Sequence, residues 1–267
     1  MVNGKKSLKN VFDDAIDELE VTYEVYFEIQ RQQPRCLHTV NWLLSRGITE
    51  GKVLVFGKNE KPFTMLLEKL GFQVRGFSLP LNYRKVVARE AALAVIQEIR
   101  DLKEEYDVVI CDDILQHLPA VAVILSVLKD HVCPGGLLTL MTPNAASGTS
   151  RLRLLAGRNI YPFQDDHYPH NQSLETDSQQ LMPYREYTLR ELELLFKEEG
   201  FELIEKECIV GTYVSANRWP PMPVREYILY LISIGIQKIA APLRNYLFVA
   251  AQRPFANGGK NVQVTSP

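Results

Sequence analysis

The chain has 267 residues, is 46% hydrophobic and 23% charged, and carries a formal net charge of −2. These values suit one large α/β domain, or a domain with one added subdomain. They exclude the basic excess of a protein that tracks nucleic-acid phosphates.

The opening MVNGKKSLKN is basic but has no apolar core behind it, so no secretory signal is expected. Val11 to Gln33 shows a wide apolar stripe among acids and predicts a helix, with a second over Leu37–Arg46 ended near Gly47. Together these make an N-terminal helical layer, residues 1–50. KVLVF (52–56) predicts a buried strand closed by Gly57. A helix follows over Pro62–Leu70, then a strand over Phe72–Phe77. Residues 82–92 read as helical. Ala92 to Gln97 fits either a short strand or a helix continuing to Arg100.

The stretch from Tyr106 to Asn144 reads as buried strand, helix, Pro-Gly-Gly turn, second buried strand and Pro-Asn exit. The strands are Asp107–Cys111 and Leu137–Met141, with the helix over Ala120–His131. That order is half of a doubly wound α/β sheet, on which ligands sit outside the carboxyl ends of the strands. Asp112, Asp113, Thr142 and Asn144 fall at such ends. Beyond them, 145–187 is long, polar and aperiodic apart from a short helix over Ser150–Ala156, as in a lid or acceptor segment. Thr188 to Glu199 carries a capping box closed by Gly200. A strand over Phe201–Val210 follows, then an apolar helical insert within 211–243, a last strand over Asn245–Ala251, and a tail over 254–267 that predicts disorder.

Cys36, Cys111, Cys133 and Cys208 show no CxxC spacing, so buried thiols in a reducing cytoplasm are expected and a zinc site is not. No run of eighteen apolar residues predicts a spanning helix.

Taken in order, strand–Gly–helix–strand, then YDVVICDDILQHL (106–118), then KDHVCPGGLLTLMTPN (129–144), resemble the class I S-adenosylmethionine-dependent methyltransferases. Those proteins carry FDVVxxxxVLEHL followed by RVLKPGGxLxxxTPN. SRLRLLAGRNIYP (150–162) and YREYTLRELELLFKEEGFELIE (184–205) extend the likeness to the sugar-, quinone- and lipid-modifying type, over roughly Lys52 to Cys208. The resemblance implies a Rossmann-like sheet with helices on both faces over 51–253, and S-adenosylmethionine as cofactor. It implies cofactor-binding roles for Gly57, Asn59, Ser78, Gln97 and Asp112.

The departures fall on the cofactor side. Relatives end the first strand in an acid followed by G-x-G-x-G; here Val55 replaces the acid, Gly57 remains, and Asn59 and Lys61 replace the later glycines. Glycines let a backbone approach a ligand without a Cβ in the way. Ser78 stands where relatives place the acid that takes both ribose hydroxyls, Gln116 where they place Glu, and Pro183 where many place His.

Individual residues carry two readings each. Asp112 and Asp113 are either a pocket floor or a favourable helix-start pair. His117 is a candidate base or a packed structural histidine. Asp165, Asp166, His167, Tyr168 and His170 form a candidate acceptor-side cluster without a helical metal-ligand spacing. Arg185 is a candidate for a substrate carboxylate or phosphate, or for an ion pair with the next helix. The apolar helix 224–241 is a buried cover, an oligomer contact or a peripheral membrane contact.

The leading function is methyl transfer to a small-molecule, saccharide or lipid-linked acceptor. The alternative is a methyltransferase-like scaffold or partner subunit that has lost cofactor binding. A nicotinamide enzyme is disfavoured, because the first turn lacks G-x-G-x-x-G.

Overall fold

The computed structural model describes residues 7–18, 23–57, 60–78, 94, 96–118, 120–160, 185–211, 232 and 235–255. Six strands form one sheet: β1 (Lys52–Gly57), β2 (Gln73–Ser78), β3 (Tyr106–Asp112), β4 (Val132–Pro143), β5 (Glu202–Ile209) and β6 (Tyr246–Gln252). Their order is β2-β1-β3-β4-β6-β5. β2, β1, β3 and β4 run parallel, while β6 runs antiparallel to both β4 and β5.

Among the described residues the longer helices that flank the strands are α1 (Leu8–Asp17), α2 (Tyr23–Ser45), α3 (Lys61–Lys69), α4 (Val121–Asp130), α5 (Gly148–Leu155) and α6 (Leu189–Glu198). Period-2 alternation sorts each central strand onto two cores. Leu54, Phe56, Val109, Cys111, Leu138 and Leu140 face one layer, which includes α4 and α6 through Leu125, Leu128, Leu192 and Phe196. Val53, Val55, Val108 and Ile110 face the other, which includes α1, α2 and α3 through Phe12, Ile16, Val40, Leu43, Phe63 and Leu66. The sheet is therefore covered on both faces, which is why β1 and β3 read as nearly continuous apolar runs. Cys36, Cys111 and Cys208 are buried free thiols.

Two sequence expectations are corrected. The division expected between Gln33 and Leu37 does not occur: α2 runs unbroken from Tyr23 to Ser45 with Pro34 inside it, and α1 ends at Asp17. A proline inside a helix costs about 3 kcal/mol in lost hydrogen bonding and ring clash. Burial of Ile29, Cys36, Val40 and Leu43 along the same helix opposes that cost. The Pro-Gly-Gly segment is not a turn ahead of the strand but lies within β4, which starts at Val132. Gly135 adopts φ +82° and its N–H donates to the Arg253 carbonyl at 2.8 Å. The register between β3 and β4 shifts here. Residues 96–100 are helical, which decides the open reading of the segment before Arg100. The capping box of α6 is present, with the Thr188 hydroxyl accepting from Glu191 N and the Glu191 carboxylate accepting from Thr188 N. Much of 224–241 and all of 256–267 lie outside the described residues.

A Cβ on Gly136 would stand 2.9 Å from the carbonyl oxygens of both Asp107 and Cys133, backbone atoms that have little freedom to move. Gly136→Ala is expected to lower stability by about 1–3 kcal/mol, read from urea unfolding. An unchanged midpoint would show that the β3–β4 register shift absorbs the added methyl.

Candidate functional site

The strand order reverses between β1 and β3. From β1 the chain crosses through α3 to β2 on one side, and β3 lies on the other. Such a switch point opens a crevice at the carboxyl ends of the strands, the usual place for a ligand in an open α/β sheet. The registers Gly57↔Ser78 and Gly57↔Asp112 set the ends of β2, β1 and β3 side by side. Three of the expected cofactor residues thus share one edge. Gly57 is buried and offers bare backbone there, and Ser78 is half-buried.

Asp112 is fully buried and bound side-on by an arginine from α2. Arg35 Nε donates to Asp112 Oδ1 at 3.0 Å and Arg35 Nη2 to Oδ2 at 3.3 Å. Arg35 is itself 2% exposed. It also donates from Nη1 to the Gly211 carbonyl and lies 3.5 Å from Asp113 Oδ2. Its guanidinium stacks over the Tyr246 ring at 4.7 Å. Burial opposes the charge on Arg35, but Asp112, Tyr246 and Asp113 more than offset it and hold the guanidinium ionised. Burial pushes the Asp112 carboxyl up to about 6 against the lowering pull of Arg35.

Asp113 is the one non-glycine residue with positive φ among the described residues, at +53°. Aspartate tolerates that region better than most residues, and backbone outliers of this kind cluster at functional sites. The turn is tied down on several sides. Asp113 N donates to the Met141 carbonyl at 3.0 Å. Tyr246 Oη and Gln116 Nε2 both donate to Asp113 Oδ1 at 2.9 Å. Thr142 Oγ1 donates to Gln116 Oε1 at 3.1 Å, so the glutamine joins the ends of β3 and β4. Asp112 and Asp113 do not start a helix: the short 3-10 turn Leu115–His117 is entered through Ile114 with no side-chain cap.

The segment 185–187 crosses these strand ends. Arg185 N donates to the Gln116 carbonyl at 3.3 Å, and Ala145 N donates to the Tyr187 carbonyl at 3.0 Å. Between them sits Glu186, half-buried. Desolvation, with the like charge of Asp113 second, raises its carboxyl to about 7.

Of the other expected site residues, His117 is buried, with Nε2 3.2 Å from Gln116 Nε2. Arg185 is exposed and pairs with Glu191 of α6. Gln97 is exposed on the helical turn at 96–100, and its amide donates to Asp101 Oδ1 at 2.9 Å. That turn leads into the start of β3, away from the carboxyl edge. Lys61 opens α3 and is exposed. Asn59 and His167, with the rest of the 165–170 cluster, lie outside the described residues. Among the described residues no group of three His, Cys, Asp or Glu is placed to hold a metal ion. An open groove of about 400 Å³ beside α2 is lined by Pro34, Leu37, His38, Glu207 and Arg244, among others, and by none of the expected site residues.

Sequence reasoning missed Arg35, Glu186 and Tyr246. Arg35 follows Pro34 in an otherwise polar stretch and gives no sign of burial. Glu186 occupies the variable place of the R-x-Y-T pattern. Only Tyr246, inside an apolar strand, carries a polar end that would need a partner.

A family model described as a methyltransferase domain matches residues 27–206. A ubiquinone biosynthesis O-methyltransferase of Colwellia psychrerythraea is 29% identical over 110 residues, covering 38% of this chain and 45% of that protein. The match therefore spans under half the length of that relative. Among solved structures, the chain is similar to one in the complex between the Haloferax volcanii Trm112 methyltransferase activator and a putative methyltransferase. The TM-score is 0.52 at 13% identity, covering 95% of this chain and 100% of that one. A SAM-dependent methyltransferase from Archaeoglobus fulgidus gives a TM-score of 0.48 at 15% identity, covering 86% and 100%.

Breaking the Arg35–Asp112 pair from one side leaves a buried carboxylate without its counter-ion. Arg35→Met is expected to cost about 3–5 kcal/mol in urea unfolding, and adding Asp112→Leu to recover at least half of it. Glu186 makes a separate, pH-dependent contribution. Its folded pKa, about 7, lies above its ordinary value of 4.5. The stability it contributes is present below pH 4.5 and is lost as pH rises through about 7. Wild type should therefore lose stability relative to Glu186→Gln across that window. Parallel pH curves for the two proteins would contradict the shift.

Proposed function

The chain belongs to the methyltransferase family, with S-adenosylmethionine as cofactor, and from that premise we propose that it methylates a hydroxyl or amine on a small acceptor. The supporting observation is the carboxylate-rich carboxyl edge at the switch point, where Gly57, Ser78, Asp112, Asp113 and Glu186 converge.

The charge at that edge suits a cationic ligand. Arg35 neutralises one of the two aspartates, and the remaining negative charge grows when Glu186 ionises. The sulfonium of S-adenosylmethionine supplies an already activated methyl group. Gly57 admits the ligand backbone-to-ligand without a side chain in the way. Ser78 offers a single neutral hydrogen bond to a ribose hydroxyl where a carboxylate would make two charge-assisted ones. With Asp112 paired to Arg35, Asp113 would supply the negative charge toward a bound sulfonium. The protein's remaining tasks are to align the acceptor and keep water out.

Glu186 is the candidate general base. A carboxyl with a pKa of about 7 is half ionised near neutral pH and can take the proton that a hydroxyl or amine acceptor loses. Burial chiefly keeps Glu186 basic, and the like charge of Asp113, held by Tyr246 and Gln116, adds to it. His117 is packed beside Gln116 and supports that amide.

Isothermal titration with S-adenosylmethionine and S-adenosylhomocysteine tests the cofactor assignment. Heat at micromolar to millimolar ligand is expected, and none would favour a scaffold role. Ser78→Asp should tighten binding by about tenfold to a hundredfold, the worth of a charged over a neutral hydrogen bond. Once an acceptor is in hand, Glu186→Gln should lower kcat by about a hundredfold or more and abolish the acidic limb of the rate profile near pH 7. A profile that keeps that limb would remove Glu186 from the chemistry.

A further inference from the structure

We propose that α5 and the helical segment 235–239 form a docking surface for an anionic phospholipid bilayer, at the edge of the sheet where the candidate site opens.

Two elements build this surface. α5 leaves the end of β4, and the segment 235–239 leads through Ala241–Leu243 into β6. Pro143 and Tyr246 are register partners, so both elements lie at the carboxyl edge of the sheet. They are clasped together at Gly148. A Cβ there would stand 2.1 Å from Ile236 Cγ2 and 3.4 Å from Leu243 Cβ, so only glycine allows the approach.

The outward faces are apolar. Seven large hydrophobic residues are exposed among the described residues, and four of them lie here: Leu152, Leu154, Leu155 and Ile239. Leu155 is 84% exposed and Ile239 76%. Single exposed leucines are ordinary, but a cluster on two fastened elements marks a contact surface.

Charge selects the partner. Arg151, Arg158 and Lys238 stand exposed among these residues. The sequence holds no Asp or Glu from Ala145 to Phe163, and none from Tyr227 to the C-terminus. In a chain with 32 acids and a net charge of −2, the two elements that build the surface thus carry basic residues and no acid of their own. Leucines interleaved with arginines and lysines on an exposed helix suit insertion at the headgroup boundary, with basic residues against anionic lipid. A second copy of the chain would place like charges face to face. No helix among the described residues is long and apolar enough to cross a membrane.

Co-sedimentation of the full chain with vesicles tests this. The protein should pellet with vesicles of phosphatidylcholine mixed with phosphatidylglycerol and stay in solution with phosphatidylcholine alone. Arg151→Ser and Lys238→Ser should each weaken partitioning by about fivefold. L154S/L155S should weaken it by about tenfold or more with an unchanged melting temperature, since both side chains face solvent. Equal pelleting with neutral vesicles, no pelleting with either, or wild-type behaviour of L154S/L155S would each overturn the proposal. So would a dimer in sedimentation velocity that L154S/L155S dissolves while vesicle binding is absent. Vesicle binding needs no cofactor, so its failure leaves the methyl-transfer reading untouched.

Discussion

A guanidinium buried against a carboxylate at the end of a central strand ties the helical layer to the sheet. Taking both ions out of water costs several kcal/mol each, which is recovered only by good geometry and further hydrogen bonds. Arg35 meets those terms: two bonds to Asp112, one to the Gly211 carbonyl, a contact with Asp113 and a ring face beneath it. The pair joins an N-terminal helix to β3 across the core. It also fixes the charge of the switch-point crevice, because one aspartate is spent on Arg35 and the other is left to act on its surroundings.

The second aspartate links architecture to chemistry. Its left-handed backbone turns the chain out of β3, and Tyr246 from β6 and Gln116 from the next turn clamp its side chain. The antiparallel strand β6 is thus part of the site, not only of the sheet. Through Asp113 it bears on Glu186, which comes from a segment far away in sequence. Burial raises the proton affinity of that carboxyl most, and Asp113 adds to it.

Much of the fold was legible in the residues. The strands of KVLVF and YDVVIC are apolar runs bounded by glycine or acids, and both are buried on two faces. The capping box at Thr188 announced α6 from two residues three places apart. The helix division expected between Gln33 and Leu37 failed because local pattern is blind to the packing that carries α2 through Pro34. The Pro-Gly-Gly segment misled because a strand irregularity and a turn share the same residues. That Gly57, Ser78 and Asp112 share one edge of the sheet was legible because strand ends can be read from where apolar runs stop. Arg35 could not be found, since its burial depends on a partner 77 residues away. Gln97 was placed by likeness alone, and its helical turn faces the other end of the sheet.

The clasp between Arg35 and Asp112 also bears on how such a protein can change over generations. Sheets of this kind are often treated as platforms that accept new flanking helices by recombination. A lineage that exchanged its leading helices here would inherit an acid sealed in the core with no cation to answer it. The second helix and the third strand are therefore tied in inheritance: a change of one calls for a matching change at Asp112 or Arg35 in the other.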